Sequence, residues 1–495
     1  MNYTDNSGME ELVHITLPMC DRTVSADSSG DYTLPDYQPE IRRLLCVDAT
    51  VLPPAKYVGG TGAEFNGTVD WRIMYVGMDG GIYSAPLSAE YSFNAPLDGA
   101  GDFDLGEGLC ALASVVCENT VAKVTAPRRL NIKSRLRAHV RVFGKRILEA
   151  QCIGADTPEA IMRLRGEGRC MSIASGSSDI ISITEEIGGM SDDVRVISAE
   201  GSAFVNDVRA SNGVVRASGD VMLKLMSCRE NGTPEISVRK LPFEGEIEVD
   251  GACEQSMCRA TGTVSDISVS VGEDGRILCD VSLILEARAM QNDTFSHTAD
   301  LYSTEETCSC EHAEYSMPII LGCTNSNVSQ SERIPLEQTN ISPDANIIYA
   351  CGSPRFDNCT LVGEKYMLTG ECKYTLICES GGEYSSSEIV LPVRYEMSAD
   401  GEVSGYDAVG DVISCRARVD GDNLCIDAEL SVVAELTGAE LVRTLSEARF
   451  GERYDCRGNR ITVYYPTDGD SAWTVAKRYH VPPESVRDLG GYYLV

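Results

Sequence analysis

The chain repeats itself. Laid against itself, "FNGTVDWRIMYV" aligns with "ASGDVMLKLMSC" and with "LTGECKYTLIC"; the shared glycines, Gly67, Gly219 and Gly370, stand 152 and 151 residues apart. Each glycine precedes a run of period two, such as Val221, Leu223 and Leu225, which is the pattern of a half-buried β-strand. A second segment follows in every copy ("PLSAEYSF", "KLPFEGEI", "VLPVRYEM"), with Pro242 and Pro392 coincident and Ser88 in the first. A last strand opens at Leu130, Ile277 and Leu424, in steps of 147. Three landmarks in one order mean one supersecondary unit used three times. The expected fold class is therefore mainly β, each copy closing as a β-sandwich or partly open barrel of about 100 residues.

These landmarks divide the 495 residues into an arm (1–45), a first repeat (46–145), a connecting segment (146–190) and a second repeat (191–295). A second connecting segment (296–340), a third repeat (341–440), a linker (441–460) and a terminal module (461–495) follow. In the arm, "LPDYQPEIRRLL" predicts an extended entry fixed by Pro35 and Pro39. One or two helical turns then bring Ile41, Leu44 and Leu45 inward, and "LCVDATVL" continues as a strand. "SPDANIIYACGSPRF" in the third copy echoes this arm faintly, and Pro158–Leu164 predicts a short helix in the first connecting segment.

The end of the chain changes period. "ITVYY" alternates as a strand, and Asp470 or Ser471 is placed to accept hydrogen bonds at a helix start. Ala472, Val475, Ala476 and Tyr479 then recur on one helical face. "VPPESVRDL" predicts a second short helix, with Pro483 in its first turn and Val486 and Leu489 inward. Gly490-Gly491 breaks it, and "YYLV" returns as a strand, giving β-α-α-β.

Charge narrows the partners. A net charge of −33 excludes nucleic acid, which needs a basic footprint. The acidity is uneven: Leu441–Val495 carries +1 and the remainder −34, which reads first as solubility of the large part and alternatively as a repelling acidic spacer behind a neutral docking end. No run of about 18 apolar residues offers a transmembrane segment. The opening has no basic and apolar leader, so a soluble, cytosolic protein is expected. The 20 cysteines include no C-x-x-C, and Cys228, Cys279 and Cys425 lie in apolar strand-like runs; they read as buried thiols of a reducing compartment.

Nothing in the chain reads as catalytic. The five histidines, His14, His139, His297, His312 and His480, are scattered beyond metal-ligand spacing of one another. "CSCEHAEY", with Cys308, Cys310, Glu311 and His312, has zinc-type ligands, but crowded and without a second cluster, so it reads as an inter-repeat loop. There is no phosphate-binding G-x-x-x-x-G-K-[ST] and no G-x-S-x-G elbow. The expectation is a non-enzyme with no cofactor and no metal.

The terminal "VYY…DGDSAWTVAKRYHVPPESVRDL" resembles the LysM domain, whose members place Gly-Asp-Ser/Thr-aromatic before Ile/Val-Ala-Lys-Arg-Tyr. It departs from that pattern in its shortened close, "GGYYLV". "DYTLPDYQPEIRRLL" and the threefold repeat resemble the SPOCS domain, which clostridial relatives join to a carboxy-terminal LysM domain. The resemblance implies a scaffold of spore-coat morphogenesis, made in the mother-cell cytoplasm and collecting at the forespore surface. There its LysM end binds the ATPase that forms the coat's basement layer, and its β domains meet other coat proteins or further copies of themselves. The alternative ligand is peptidoglycan, an N-acetylglucosamine polymer. Gly469, Asp470 and Ser471 match the LysM groove loop, and Trp473, Lys477, Arg478 and Tyr479 complete the expected partner- or glycan-binding set. Trp473 has two readings, core packing or interface anchor, and Lys477 and Arg478 read as solvated charges or partner contacts.

Overall fold

A computed structural model describes residues 13–98, 103, 109–148, 160–176, 178–189, 194–229, 233–271, 276–454 and 461–495. The fold is mainly β, in three equivalent units. The first holds β1 (Val13–Thr33), β2 (Ile41–Val51), β3 (Ala55–Val58), β4 (Gly62–Gly77), β5 (Ile82–Pro96), β6 (Cys110–Ala126) and β7 (Arg129–Leu148). The second holds β8 (Ile161–Ser175), β9 (Asp179–Gly189), β10 (Val194–Ser211), β11 (Val214–Arg229), β12 (Glu235–Glu248), β13 (Met257–Val271) and β14 (Arg276–Ser303). The third holds β15 (Glu306–Pro335), β16 (Asn346–Val362), β17 (Lys365–Ser380), β18 (Glu383–Met397), β19 (Val403–Asp420) and β20 (Asn423–Arg453).

Every unit stacks two antiparallel sheets. In the first, β1-β7-β6 faces a sheet in which β4 pairs with β2, β3 and β5. In the second, β13-β14-β8, with β9 also on β14, faces β10-β11-β12; in the third, β15-β20-β19 faces β16-β17-β18. The inward residues of the two sheets form one core per unit. Phe65, Trp71 and Tyr75 meet Leu130, Ile132 and Leu136 in the first. Val221, Leu223 and Leu225 meet Val281, Leu283 and Leu285 in the second. Cys372, Tyr374 and Leu376 meet Ile426 and Leu430 in the third. Sheets stacked face to face in this way bury alternate residues of each strand.

The repeat glycines have a physical reason. Gly219 and Gly370 lie opposite Val205 and Phe356, where β10 and β16 bulge. A Cβ at Gly370 would stand 1.8 Å from the Arg355 carbonyl oxygen, and one at Gly219 2.1 Å from that of Phe204. A bulge pushes backbone toward its neighbour, and only glycine leaves the room.

Several local expectations are corrected. "PEIRRLL" is the start of strand β2, not a helix: bulges between Ile41 and Arg43 and between Leu44 and Cys46 turn a period-two strand into helical-looking apolar spacing. Of the helix expected at Pro158–Leu164, residues 158–159 lie outside the described residues and Ile161 onward is β8. The stretches read as connecting segments hold the whole of β8, β9 and β15, which pair with the strand that ends their own unit. The stretch read as a linker continues β20 to Arg453, and 455–460 lie outside the described residues. These strands hid because one face is wet; in "SNVSQSERI" only Val328 and Ile334 pack inward.

The units close a ring. β5 touches β10, β12 touches β16, and β18 returns to touch β2, so each unit contacts the next and the third contacts the first. Arg43 donates to the Tyr384 carbonyl and Arg195 to that of Ile82; these are equivalent bonds at two of the three junctions. Equivalent residues meet on the ring's axis: Leu45, Ile197 and Ile348 with Met74, Met226 and Ile377 in one cluster, and Ile15, Cys170 and Met317 in another.

Candidate functional site

Between these apolar clusters the axis is ionic. Arg141, Arg288 and Glu435 are separated by steps of 147 and occupy the same position in β7, β14 and β20. Their neighbours across the ladder are Leu112, Arg259 and Asp407. Arg259 Nη1 donates to Asp407 Oδ2 at 2.7 Å, and Arg288 Nη2 to Glu435 Oε2 at 2.6 Å. Arg141 reaches Asp407 at 3.2 Å and also pairs with Glu435. Ser114 Oγ donates to Asp407 at 2.6 Å. Burial alone would raise both carboxyls; the Arg288, Arg141 and Arg259 charges instead hold Glu435 at about 2, and Arg259, His139 and Arg141 hold Asp407 well below its ordinary range. With Glu435 at 0% exposure, this is a charge network wholly inside protein. Such a network is costly to desolvate and is kept when it fixes one arrangement among similar parts.

Sequence reasoning missed this centre. The signal was available in the repeat arithmetic, which aligns two arginines and a glutamate inside otherwise apolar last strands.

The terminal module is a small three-stranded sheet and one helix: β21 (Val463–Tyr464), α1 (Ala472–Tyr479), β22 (Arg487–Asp488) and β23 (Tyr493–Leu494), in sheet order β21-β23-β22. The second helix expected from "VPPESVRDL" is corrected: only Pro483–Ser485 make a 3-10 turn. Adjacent prolines withhold two amide donors, and Arg487 is extended in β22. Val486 is buried as expected, but Leu489 is exposed.

Each expected site residue has a definite place. Gly469 adopts φ +93°, where a side chain would be strained. Asp470 does not cap the helix; it accepts from Tyr464 Oη at 2.7 Å and from Thr467 N and Oγ1, and these bonds, Tyr464's foremost, hold its carboxyl at about 2. Ser471 is the cap, in a reciprocal box with Thr474. Trp473 is core: at 6% exposure it packs edge-on against Tyr302, ring centroids 4.9 Å apart, and donates Nε1–H to Asp300 at 2.9 Å. Lys477 is spent on the same carboxylate. Arg478 lies over the Tyr464 ring, 5.2 Å from its centroid, and Tyr479 meets Tyr464 edge-on.

The helix thus docks on the second unit. Tyr302 Oη donates to the Val481 carbonyl at 2.6 Å, Met162 and Leu164 pack alongside, and His480 stacks on Tyr454. The other side of the module's sheet is open: Ile461, Val463 and Tyr465, at alternate positions, are exposed, with Leu489 and Tyr492 beside them. Tyr465 and Tyr492 stand with ring centroids 6.0 Å apart.

Cys308, Cys310 and His312 share one face of β15 near this junction. The two Sγ atoms are 3.7 Å apart and His312 Nε2 is 3.8 Å from Asp300, while Glu311 lies 3.9 Å from Arg449. Among the described residues, no group of three or more His, Cys, Asp and Glu is arranged to hold a metal ion, and the cysteines are free thiols.

No protein-family model matches the chain, and no curated protein matches it.

Proposed function

We propose that this protein is a non-enzymatic scaffold of spore-coat assembly, a SPOCS-type triple β unit that presents a LysM-like module to the coat's basement-layer ATPase. One observation carries the reading: the module is fastened to the body by its helix and turns an apolar sheet face outward, with Ile461 82% and Tyr465 73% exposed. Five large apolar side chains in a module of about 35 residues form the kind of patch that marks protein docking. The contact set moves accordingly, from Trp473 and Lys477 to Val463, Tyr465 and Tyr492. Mother-cell localisation and collection at the forespore surface follow from the same resemblance.

The test is capture of the purified ATPase by the full chain. Tyr465→Asp and Val463→Asp are expected to abolish capture while circular dichroism is unchanged. Undiminished capture by both variants removes the sheet face from the role.

A second reading, peptidoglycan binding, is favoured by the neighbouring exposed rings of Tyr465 and Tyr492, an aromatic pair of the kind that sugars pack against. Co-sedimentation with purified peptidoglycan separates the two.

A further inference from the structure

The ring encloses a cavity of about 340 Å³. Six strands line it, β2, β6, β10, β13, β16 and β19, each at the end of its sheet. The volume is in the range of pockets that hold small organic ligands. In a chain of net charge −33 this lining is cationic, with six lysines and arginines against four carboxylates.

Part of that charge is spent. Lys56 pairs with Glu286 at 3.1 Å, Arg72 with Glu200 at 3.2 Å, and Arg355 with Asp357 at 2.9 Å. Arg259 and Arg288 are only partly spent. They belong to the ionic axis, where three guanidiniums, Arg141 included, meet only Asp407 and Glu435. None of these five residues is more than 9% exposed, so one positive charge stays uncompensated inside the protein. A charge taken out of water calls for a counter-ion.

The open donors point the same way. A guanidinium offers five N–H groups. Arg259 commits Nη1 alone, to Asp407, and Arg288 commits Nε and Nη2, to Glu435 and Asp407. Arg259 Nε and Nη2 and Arg288 Nη1 make no hydrogen bond among the described residues, yet none of the three is sealed off by protein. In side chains so deeply buried, the space they reach is the cavity they line. Thr261, two residues beyond Arg259 on β13, brings a hydroxyl to the same wall. At the far end Arg72 and Lys224 face Asp48, Glu200 and Asp411, three carboxylates that repel a second negative group. Val205, Val264 and Val412 also line the cavity.

We infer that the axial cavity binds a small organic acid as its monoanion, the carboxylate seated on Arg259 and Arg288 and the apolar remainder laid along the valines. The carboxylate supplies the negative charge that the axis lacks and two oxygens for the open donors. An amide of the same shape offers one acceptor and no charge.

The experiment is calorimetry on the full chain with butanoate and benzoate, against butanamide, benzamide and sodium chloride at matched ionic strength. The acids are expected to bind, and the amides and the salt are not. Affinity is expected to fall about threefold in Thr261→Val, which leaves the ionic axis intact, and at least about tenfold in Arg259→Gln. Crystals soaked in 4-bromobenzoate locate the ligand without any variant: the bromine's anomalous signal is expected inside the ring, with the carboxylate toward Arg259 and Arg288. Failure of both acids to bind, amides that bind as tightly, or bromine found only outside the ring overturns the assignment. So does unchanged affinity in both variants.

Discussion

Lys477, on the one helix of the terminal module, sets its ammonium 2.6 and 2.8 Å from the two carboxylate oxygens of Asp300, 177 residues earlier on β14. Trp473 donates to the same carboxylate. A single acidic residue thus takes both polar side chains that the helix sends to the ring, beside the apolar contacts of Tyr302, Met162 and Leu164. Asp300→Ala is expected to loosen the helix, at a cost of about 1–2 kcal/mol since Lys477 is partly solvated. Trp473 fluorescence then shifts to the red, and amide exchange quickens in Ala472–Tyr479 while the ring's core strands keep their protection.

Removing one carboxylate from the ionic axis leaves buried guanidinium charge uncompensated. Glu435→Gln is expected to destabilise the ring by roughly 3–5 kcal/mol. Because the residues it pairs with come from the first and second units, the loss should appear in all three units at once. Thermal unfolding followed by hydrogen exchange distinguishes this from melting of the third unit alone.

Stability is expected to fall with rising pH in two steps. Asp411 releases its proton near 3.8 unfolded but near 6 folded, so the native state binds more protons between those values. Its cost accumulates through that window and is complete above pH 6, at about 3 kcal/mol. Asp411→Asn should therefore raise the melting temperature at pH 7 and change little below pH 4. His139 works in the next window: burial would lower it, but its hydrogen bond to Asp21 and the Asp407 carboxylate 3.9 Å away outweigh this and push it to about 9. Its contribution is full below 6.5 and is lost as pH rises through 9. Melting curves from pH 4 to 10 check both.

The repeat glycines are not equal. At Gly370 an added Cβ stands 1.8 Å from the Arg355 carbonyl oxygen, which is backbone; at Gly67 it stands 2.5 Å from the ring tip of Tyr91, a buried side chain that can give only by disturbing its bond to the Leu52 carbonyl. Gly370→Ala is expected to cost about 1–3 kcal/mol, and Gly67→Ala less. Denaturant midpoints of the two variants rank them.

The triplication, its β character and the helix at Ala472–Tyr479 were legible because they rest on local period: two for Val221, Leu223 and Leu225, and three to four for Val475, Ala476 and Tyr479. The start of β2 was misread because two bulges disguise its period. Strands such as β15 were missed because their wet faces leave few apolar residues to count. The ionic axis is invisible to any local window, since Arg141, Arg259, Arg288, Asp407 and Glu435 meet only when the ring closes. Trp473 was legible as an aromatic on a helix; that it faces Asp300 and Tyr302 rather than a partner is tertiary information.

Three separate but identical subunits could not carry arginine at two corners and glutamate at the third; one covalent chain can. Within this one chain the corners do differ, and the difference extends to the rim. The positions 147 residues beyond Asp300 and Tyr302 are Glu447 and Arg449, which pair with each other, and the terminal module lodges on the middle unit rather than on the one it grows from. A body with three similar corners thus bears its module at one of them, so a partner meeting the module's open sheet face would meet the body in one orientation rather than three.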